Sequence, residues 1–153
     1  MRVKECYGDL FEIARINEVD AIAHGCNVYG VMGAGIAKEF KRRFPNNYRL
    51  YKDICTKAMQ SNIEIVGSFC GEYNLETNKS ILNLFTQDKP GPYARLEWIK
   101  SAFEDALDEN SIHIPRSIAI PKIGCGIGGL TWTDVKRILE EIESDTEIVV
   151  AYL

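Results

Sequence analysis

Short apolar runs alternate along the chain with stripes of apolar residues at helical spacing. The runs predict strands over 3–7, 19–24, 63–70, 80–85, 117–121 and 148–153. The stripes predict helices from Ile36 to Phe44, from Asn47 to about Met59, from Leu96 to about Asp108, and after Thr131, which we expect to cap its helix. Residues 8–11 and 87–92 have the composition of turns.

Strands that alternate with helices of ten or more residues indicate an α/β fold. Such folds contain a sheet that is at least partly parallel, with helices covering both of its faces. The chain has 153 residues, the size of one domain that buries about two thirds of its unfolded surface. We therefore expect a single domain over residues 1–153 with one core.

Composition narrows the class of protein. No apolar segment approaches the ~18 residues of a membrane span, and residues 1–5 lack the apolar core of a signal peptide. Five widely spaced cysteines and two histidines argue against a disulfide framework and against a zinc site. We expect a cytoplasmic protein without a metal. The net charge of −4 disfavours broad, sequence-independent binding to nucleic acid.

Two glycine-rich loops each follow an apolar run and precede a predicted helix. The first contains Gly30, Gly33 and Gly35, and the second runs over 121–130 with glycines at 124, 126, 128 and 129. Glycines let main-chain N–H groups approach a ligand closely, and the first amides of a helix have no internal partner and attract anions. Tight turns without a ligand are the alternative. In an α/β sheet both loops lie at the carboxyl ends of strands, so we expect one crevice suited to a ligand with more than one phosphate.

Several phosphate-binding classes do not fit these loops. A nucleoside triphosphatase loop needs Lys-Ser/Thr after its last glycine, where this chain has Ile36 or Leu130. A cysteine phosphatase needs an arginine six residues after its nucleophile, and none of the five cysteines has one. Gly124, Gly126 and Gly129 match the dinucleotide fingerprint, but that motif alone is a weak signal.

Five motifs of the chain belong together: His24-Gly25-Cys26-Asn27, residues 33–37, residues 121–129, Gly8-Asp9-Leu10 and Leu84-Phe85-Thr86-Gln87. Taken together, they resemble the motifs of the macrodomain, a module that binds ADP-ribose. The resemblance runs over essentially the whole chain and is closest to the branch of the ADP-ribose-1″-phosphate phosphatases, the terminal ADP-ribose glycohydrolases and the DNA ADP-ribosyl glycohydrolase antitoxins. It implies a three-layer α/β/α fold with a mixed, largely parallel central sheet.

The resemblance also implies which residues contact ADP-ribose. Asp9 would accept a hydrogen bond from the adenine amino group, with the Leu10 amide beside it, and Asn27 would face the distal ribose. One phosphate would be held by Gly33, Ala34, Gly35 and Ile36. The other phosphate and the distal ribose would be held by Gly124, Cys125, Gly126, Ile127 and Gly128. A helix cap is the alternative role for Asp9. Tyr152 and Trp132 are candidates for stacking on adenine, and no cofactor is implied.

Three positions at which the branches of the family differ bear on catalysis. The terminal ADP-ribose glycohydrolases have a lysine and an aspartate where this chain has Gln87 and Gly128, so that lysine-dependent route is closed. The phosphatase branch has a histidine at the position of His24. We expect His24 at the mouth of the distal-ribose pocket as nucleophile or proton donor, with Asp88 handling water. The alternative for His24 is a buried, hydrogen-bonded histidine.

Three functions follow as hypotheses. The first is a metal-independent phosphatase that acts on ADP-ribose-1″-phosphate. The second is a glycohydrolase that removes ADP-ribose from protein or nucleic acid without a lysine, for which the basic residues 41–43 give some support. The third is a non-catalytic ADP-ribose reader. We expect a monomer without a membrane partner, and nucleic acid only as an ADP-ribosylated substrate.

Overall fold

A six-stranded sheet forms the centre of the computed structural model, which describes residues 1–111 and 113–153. The strands are β1 (Arg2–Tyr7), β2 (Ala21–Asn27), β3 (Phe69–Asn74), β4 (Lys79–Gln87), β5 (Ser117–Ile120) and β6 (Glu147–Tyr152). The helices are α1 (Leu10–Ile16), α2 (Gly35–Arg43), α3 (Pro45–Gln60), α4 (Leu96–Ala106) and α5 (Trp132–Glu141).

The strand order in the sheet is β1-β6-β5-β2-β4-β3. β1, β6, β5, β2 and β4 pair in parallel, while β3 pairs with β4 in the antiparallel sense. The predicted mixed, largely parallel sheet is therefore confirmed. Since β2 lies between β5 and β4, the loops that follow these three strands leave the same edge of the sheet.

Helices cover both faces of the sheet. α1, α2 and α3 pack on one face, and α4 and α5 pack on the other. β2 contributes to both sides, because Ile22 and Cys26 enter one apolar cluster while Ala21 and Ala23 enter the other. The predicted three layers are confirmed, and the sheet divides the core into two halves. Among the helices of the described residues, none has the length and apolarity needed to cross a membrane.

Most predicted elements are present, with two corrections. Residues 8–11 are not simply a turn, because Asp9 caps α1, a helix that the prediction lacked. The carboxylate Oδ2 of Asp9 accepts hydrogen bonds from the amides of Phe11 and Glu12, at 3.1 Å each. The strand predicted over 63–70 is also wrong, since β3 begins only at Phe69. The left-handed backbone of Gly67, with φ of +83°, ends any extended run before it.

Pro45 sets the geometry of the helices beside the site. α2 ends at Arg43, and α3 begins at Pro45 in its first turn, where the missing N–H of proline costs no hydrogen bond. The buried Tyr51 and Cys55 on α3 then face the sheet. As a result, α3 reaches the loop that follows β2.

Candidate functional site

A crevice of about 560 Å³ opens at the carboxyl ends of the central strands. Its walls come from the loop between β2 and α2, the loop between β5 and α5, the start of the loop after β4, and the end of β6. Both glycine-rich loops thus face one cavity. This is the edge at which ligands bind in open α/β sheets.

Asn27, the last residue of β2, holds the first glycine loop in shape. Its Nδ2 donates to the carbonyl oxygen of Val31 at 3.0 Å, and its Oδ1 accepts from the amide of Tyr29 at 2.9 Å. The buried Tyr51 hydroxyl donates to the carbonyl oxygen of Asn27 at 2.8 Å and lies 3.0 Å from its Oδ1. Burial raises the pKa of Tyr51, so its hydroxyl stays protonated as a donor. The second N–H of the Asn27 carboxamide has no partner among the described residues, and Asn27 lines the crevice.

The beginning of α2 presents free main-chain donors to the crevice. Ala34 takes the N-cap position without a side-chain cap, and Gly35 has a positive φ of +57°. Within the described residues, the amides of Gly33, Ala34, Gly35 and Ile36 donate to no other protein group. They stand at the positive end of the helix dipole, a ready site for an anion.

The second glycine loop is closed by its own hydrogen bonds. The amide of Leu130 donates to the carbonyl oxygen of Gly124 at 2.8 Å, and that of Cys125 donates to Lys122 at 3.1 Å. Gly124 has a φ of +75°. In the described part of the chain, the amides of Gly126 and Ile127 make no such bond, and both residues line the crevice.

The two glycine loops approach each other across the crevice. A Cβ built on Gly35 would lie 3.9 Å from Cδ1 of Ile127, whose side chain is 58% exposed. A Cβ built on Gly126 would meet no atom within 4 Å, and its φ is not positive. Gly126 therefore borders open space, and the Ile127 side chain bridges the loops.

The β4 side of the crevice is shaped by Thr86 and Gln87. The pairing of β2 with β4 shifts so that Cys26 faces Phe85 and Asn27 faces Gln87, which leaves Thr86 as an extra residue in a β-bulge. The Gln87 side chain donates to the carbonyl oxygens of Lys89 at 2.8 Å and Gly91 at 3.1 Å, which folds the loop after β4. Thr86, Gln87 and Gly91 line the crevice.

The opposite end of the crevice is aromatic and basic. Tyr152, at the end of β6, is 38% exposed and lines the crevice together with Lys122. The ammonium of Lys122 lies 5.0 Å from the centre of the Tyr152 ring. Trp132 does not line the crevice; its indole N–H donates to Glu5 at 2.8 Å and its ring packs against the core.

The structure places most of the predicted binding residues around this crevice. Those that line it are Asn27, Gly33, Ala34, Gly35, Ile36, Gly124, Gly126, Ile127 and Gly128. Cys125 does not, and its amide is already used within the loop. Asp9 and Leu10 also lie outside the lining, with Leu10 buried in the core and Asp9 capping α1. Their contacts with a ligand, like all the ligand roles of the lining residues, stay predictions.

The prediction that His24 stands at the mouth of the pocket is wrong. Its side chain is 0% exposed and stacks on the Phe40 ring of α2, with centroids 3.7 Å apart. His24 Nε2 lies 2.8 Å from Oδ1 of Asn83, which also accepts from Nδ2 of Asn47 at 3.0 Å. An oxygen can only accept, so Nε2 carries a proton. Burial lowers the pKa of His24 to about 4.

Asp88 does not meet His24 in this arrangement. His24 is opposite Asn83 in the register of β2 and β4, whereas Asp88 comes after the last residue of β4, beyond the bulge at Thr86. Asp88 is half-buried, follows Gln87 directly, and is not among the lining residues. The full burial of His24 therefore contradicts its part in that pairing, while the role of Asp88 stays a prediction.

The sequence-based prediction did not include Thr86, Gln87, Gly25 or Lys122 as site residues. The sequence did contain a signal for two of them, because the polar residues Thr86 and Gln87 end the apolar run of β4. β4 is parallel to β2, so the two strands end at the same edge of the sheet. Lys122 precedes the second loop directly. It is the only lysine, arginine, aspartate or glutamate in the crevice lining of the described residues.

Comparison with known proteins agrees with this geometry. A family model described as Macro domain matches residues 23–139. The chain belongs to the Macro domain family. The macrodomain fold predicted from the sequence is also confirmed, since the macrodomain of Thermus aquaticus DarG superposes with a TM-score of 0.74 at 29% identity, covering 99% of this chain and 98% of that one.

Relatives of this macrodomain have hydrolase names. The chain is 33% identical over 124 residues to a DNA ADP-ribosyl glycohydrolase of Thermus aquaticus, covering 80% of this chain and 34% of that protein. It is 29% identical over 150 residues to an ADP-ribose 1″-phosphate phosphatase of Candida albicans, covering 90% of this chain and 91% of the relative. The macrodomain thus spans about a third of the first relative and nearly all of the second.

The location of His24 predicts a specific pH dependence of stability. Its pKa is about 4 in the folded protein and about 6.5 in an unfolded chain, so below pH 6.5 the unfolded state binds the proton more strongly. The stability present above pH 6.5 should therefore fall progressively as the pH drops through about 4, by about 3 kcal/mol in total. Urea unfolding between pH 7.5 and 4 measures this slope.

A His24→Gln variant keeps an N–H donor but cannot titrate. Its unfolding free energy should therefore lack the part of the pH dependence that His24 causes in the wild type. His113→Gln is the matched control, because His113 is exposed. Equal slopes in wild type and His24→Gln would contradict a neutral, buried His24.

Proposed function

We propose that this macrodomain binds ADP-ribose in the crevice between its two glycine loops. The observation that carries the proposal is the convergence of free main-chain amides from both loops on one cavity of about 560 Å³. A pyrophosphate carries two groups of anionic oxygens that such amides bind. Lys122 adds one positive charge to the same cavity.

The length and polarity of the crevice suit a ligand with two sugars. Its lining runs from the end of β6 through β5 and β2 to β4, which is about 14 Å across at the usual strand spacing. The Tyr152 ring at the β6 end offers a face for a purine. Thr86 and Gln87 at the β4 end offer hydrogen bonds to a second ribose. The names of both relatives share the ADP-ribosyl group, which also supports this ligand.

Gly126→Val should test the binding site without disturbing the fold. A Cβ at Gly126 meets no atom within 4 Å and its φ suits any residue, so the free energy of unfolding should change by less than about 0.5 kcal/mol. The valine would occupy the space beside the free amides. We expect the ADP-ribose Kd to rise at least tenfold, about 1.4 kcal/mol, in calorimetry.

Gly33→Val is the matched variant on the opposite loop, because a Cβ there is 3.7 Å from its nearest neighbour, a Val31 methyl group. It should weaken binding in the same way if one ligand spans both loops, and Gly126→Ala should have a smaller effect. Wild-type affinity in both valine variants would show that the ligand does not use these loops.

Removal of the phosphate from ADP-ribose-1″-phosphate is a second candidate function. The match over 91% of the length of the Candida albicans phosphatase favours it. Gln87 and Gly128, at the positions where the terminal glycohydrolases have lysine and aspartate, argue against a covalent lysine route. Asp88 is the carboxylate next in sequence to the lining residue Gln87, and we propose it as the group that activates water.

Asp88→Asn should lower phosphate release from ADP-ribose-1″-phosphate by roughly 100-fold, because general base catalysis contributes about that factor or more. Binding of ADP-ribose should stay as in the wild type. Asp145→Asn is the matched control, since Asp145 is exposed and precedes β6 at the opposite edge of the sheet. Equal turnover by wild type and Asp88→Asn would remove Asp88 from the mechanism. If the wild type instead released ADP-ribose from modified DNA and no phosphate, the glycohydrolase function would replace this one.

A further inference from the structure

Thr86 carries a buried hydroxyl that the fold does not use. The residue is 1% exposed, and its Oγ1 has no hydrogen-bond partner among the described residues, the only buried side-chain oxygen or nitrogen there without one. Buried polar groups are almost always paired, so an unpaired one calls for a specific reason. Because Thr86 lines the crevice, a ligand bound there is placed to supply the partner.

A β-bulge places Thr86 at the wall of the crevice. Thr86 is the extra residue between Phe85 and Gln87, which pair with β2 on either side of it. Bulges beside functional sites re-aim a side chain in this way. The main chain of Thr86 is also held by the segment before α4, because the carbonyl oxygen of Thr86 accepts a hydrogen bond from the amide of Arg95 at 3.2 Å.

Gly25 keeps the space next to the hydroxyl clear. A Cβ on Gly25 would lie 2.7 Å from Thr86 Oγ1 and 3.2 Å from Cγ2 of Ile123. Gly25 is not at a positive φ, so its backbone conformation does not require glycine. Glycine is required there because Thr86 approaches so closely. Gly25, Thr86 and Ile123 all line the crevice, so the residue that carries the hydroxyl forms part of its wall.

We propose that Thr86 is a specificity-determining residue, whose hydroxyl hydrogen bonds a hydroxyl of the distal ribose. This inference rests on the proposed binding of ADP-ribose. With a purine at Tyr152 on β6 and the two phosphates between the glycine loops, the second ribose reaches the β4 end, where Thr86 lies. Because a hydroxyl both donates and accepts, it suits a sugar hydroxyl better than an anion.

Calorimetry with ADP-ribose and with ADP, which lacks the distal ribose, tests the assignment. Thr86→Val preserves the shape and removes the hydrogen bond, so we expect the Kd for ADP-ribose to rise about tenfold while that for ADP changes less than about twofold. Thr86→Ser keeps the hydroxyl and should keep the preference for ADP-ribose over ADP. Unchanged binding of ADP-ribose by Thr86→Val, or equal weakening of both ligands, would overturn the assignment.

Unfolding of the ligand-free protein supplies a second readout. Thr86→Val removes a buried group without a partner, so its melting temperature should equal or exceed that of the wild type. Thr146→Val is the matched control, because Thr146 is equally buried but donates to the carbonyl oxygen of Pro115 at 2.7 Å, and its loss should lower the melting temperature. A fall in the melting temperature for Thr86→Val would mean that the fold uses its hydroxyl.

If the wild type binds ADP but not ADP-ribose, only the distal-ribose assignment fails, whereas binding of neither ligand overturns the proposed function as well.

Discussion

The parallel pairing of β2 with both β5 and β4 is the constraint on which the crevice depends. Parallel neighbours end at the same edge of a sheet, so the loops after these strands cannot avoid one another. Each of the two glycine loops then turns back into a helix, α2 or α5, that covers a different face. The space between the loops is the consequence of two helices leaving one edge in opposite directions. The free amides of the first loop stand at the start of α2, where a helix has no internal partner for them, whereas those of Gly126 and Ile127 lie in the loop before α5.

The loops keep this shape through polar groups that are already paired. Asn27 uses its carboxamide to close the first loop, and the buried Tyr51 of α3 holds Asn27 in turn. The second loop closes through the bond from Leu130 to Gly124. A rigid frame of satisfied groups therefore surrounds a set of unsatisfied amides. Such preorganised amides bind an anion without first having to rearrange, which lowers the cost of binding.

Much of this arrangement is readable in the sequence, and the exceptions have physical causes. α2, α4 and α5 are amphipathic helices of nine to eleven residues, long enough for their apolar spacing to be recognised. α1 is only seven residues long, too short for its period to stand out, although Asp9 followed by Glu12 is a helix-start signal. The apolar residues of 63–68 suggest a strand, yet the left-handed backbone of Gly67 interrupts the extended chain, and of this segment Gly67 and Ser68 bond to β4 through Phe85.

The position of His24 could not be predicted for a different reason. β2 is buried on both faces, so its pattern lacks the alternation that would tell which side chain faces which layer. Thr86 was not predicted as a site residue because the β-bulge that sets the direction of its side chain has no signal in the residue pattern. Motifs located the loops, because glycine spacing reports on main-chain geometry. They did not locate side chains whose direction depends on pairing between strands.

Buried polar side chains in this protein differ in whether they have a hydrogen-bond partner, and this difference distinguishes the structural residues from Thr86. His24, Asn83 and Asn47 form a closed set in which each member satisfies another, next to the thiols of Cys26 and Cys70, whose pKa values burial raises. Nothing in that set is available to a ligand. Thr86, on the neighbouring stretch of β4, is as deeply buried and has no partner among the described residues. Since an unpaired hydroxyl destabilises a fold, its presence at the crevice is explained by a bound state in which the partner is supplied.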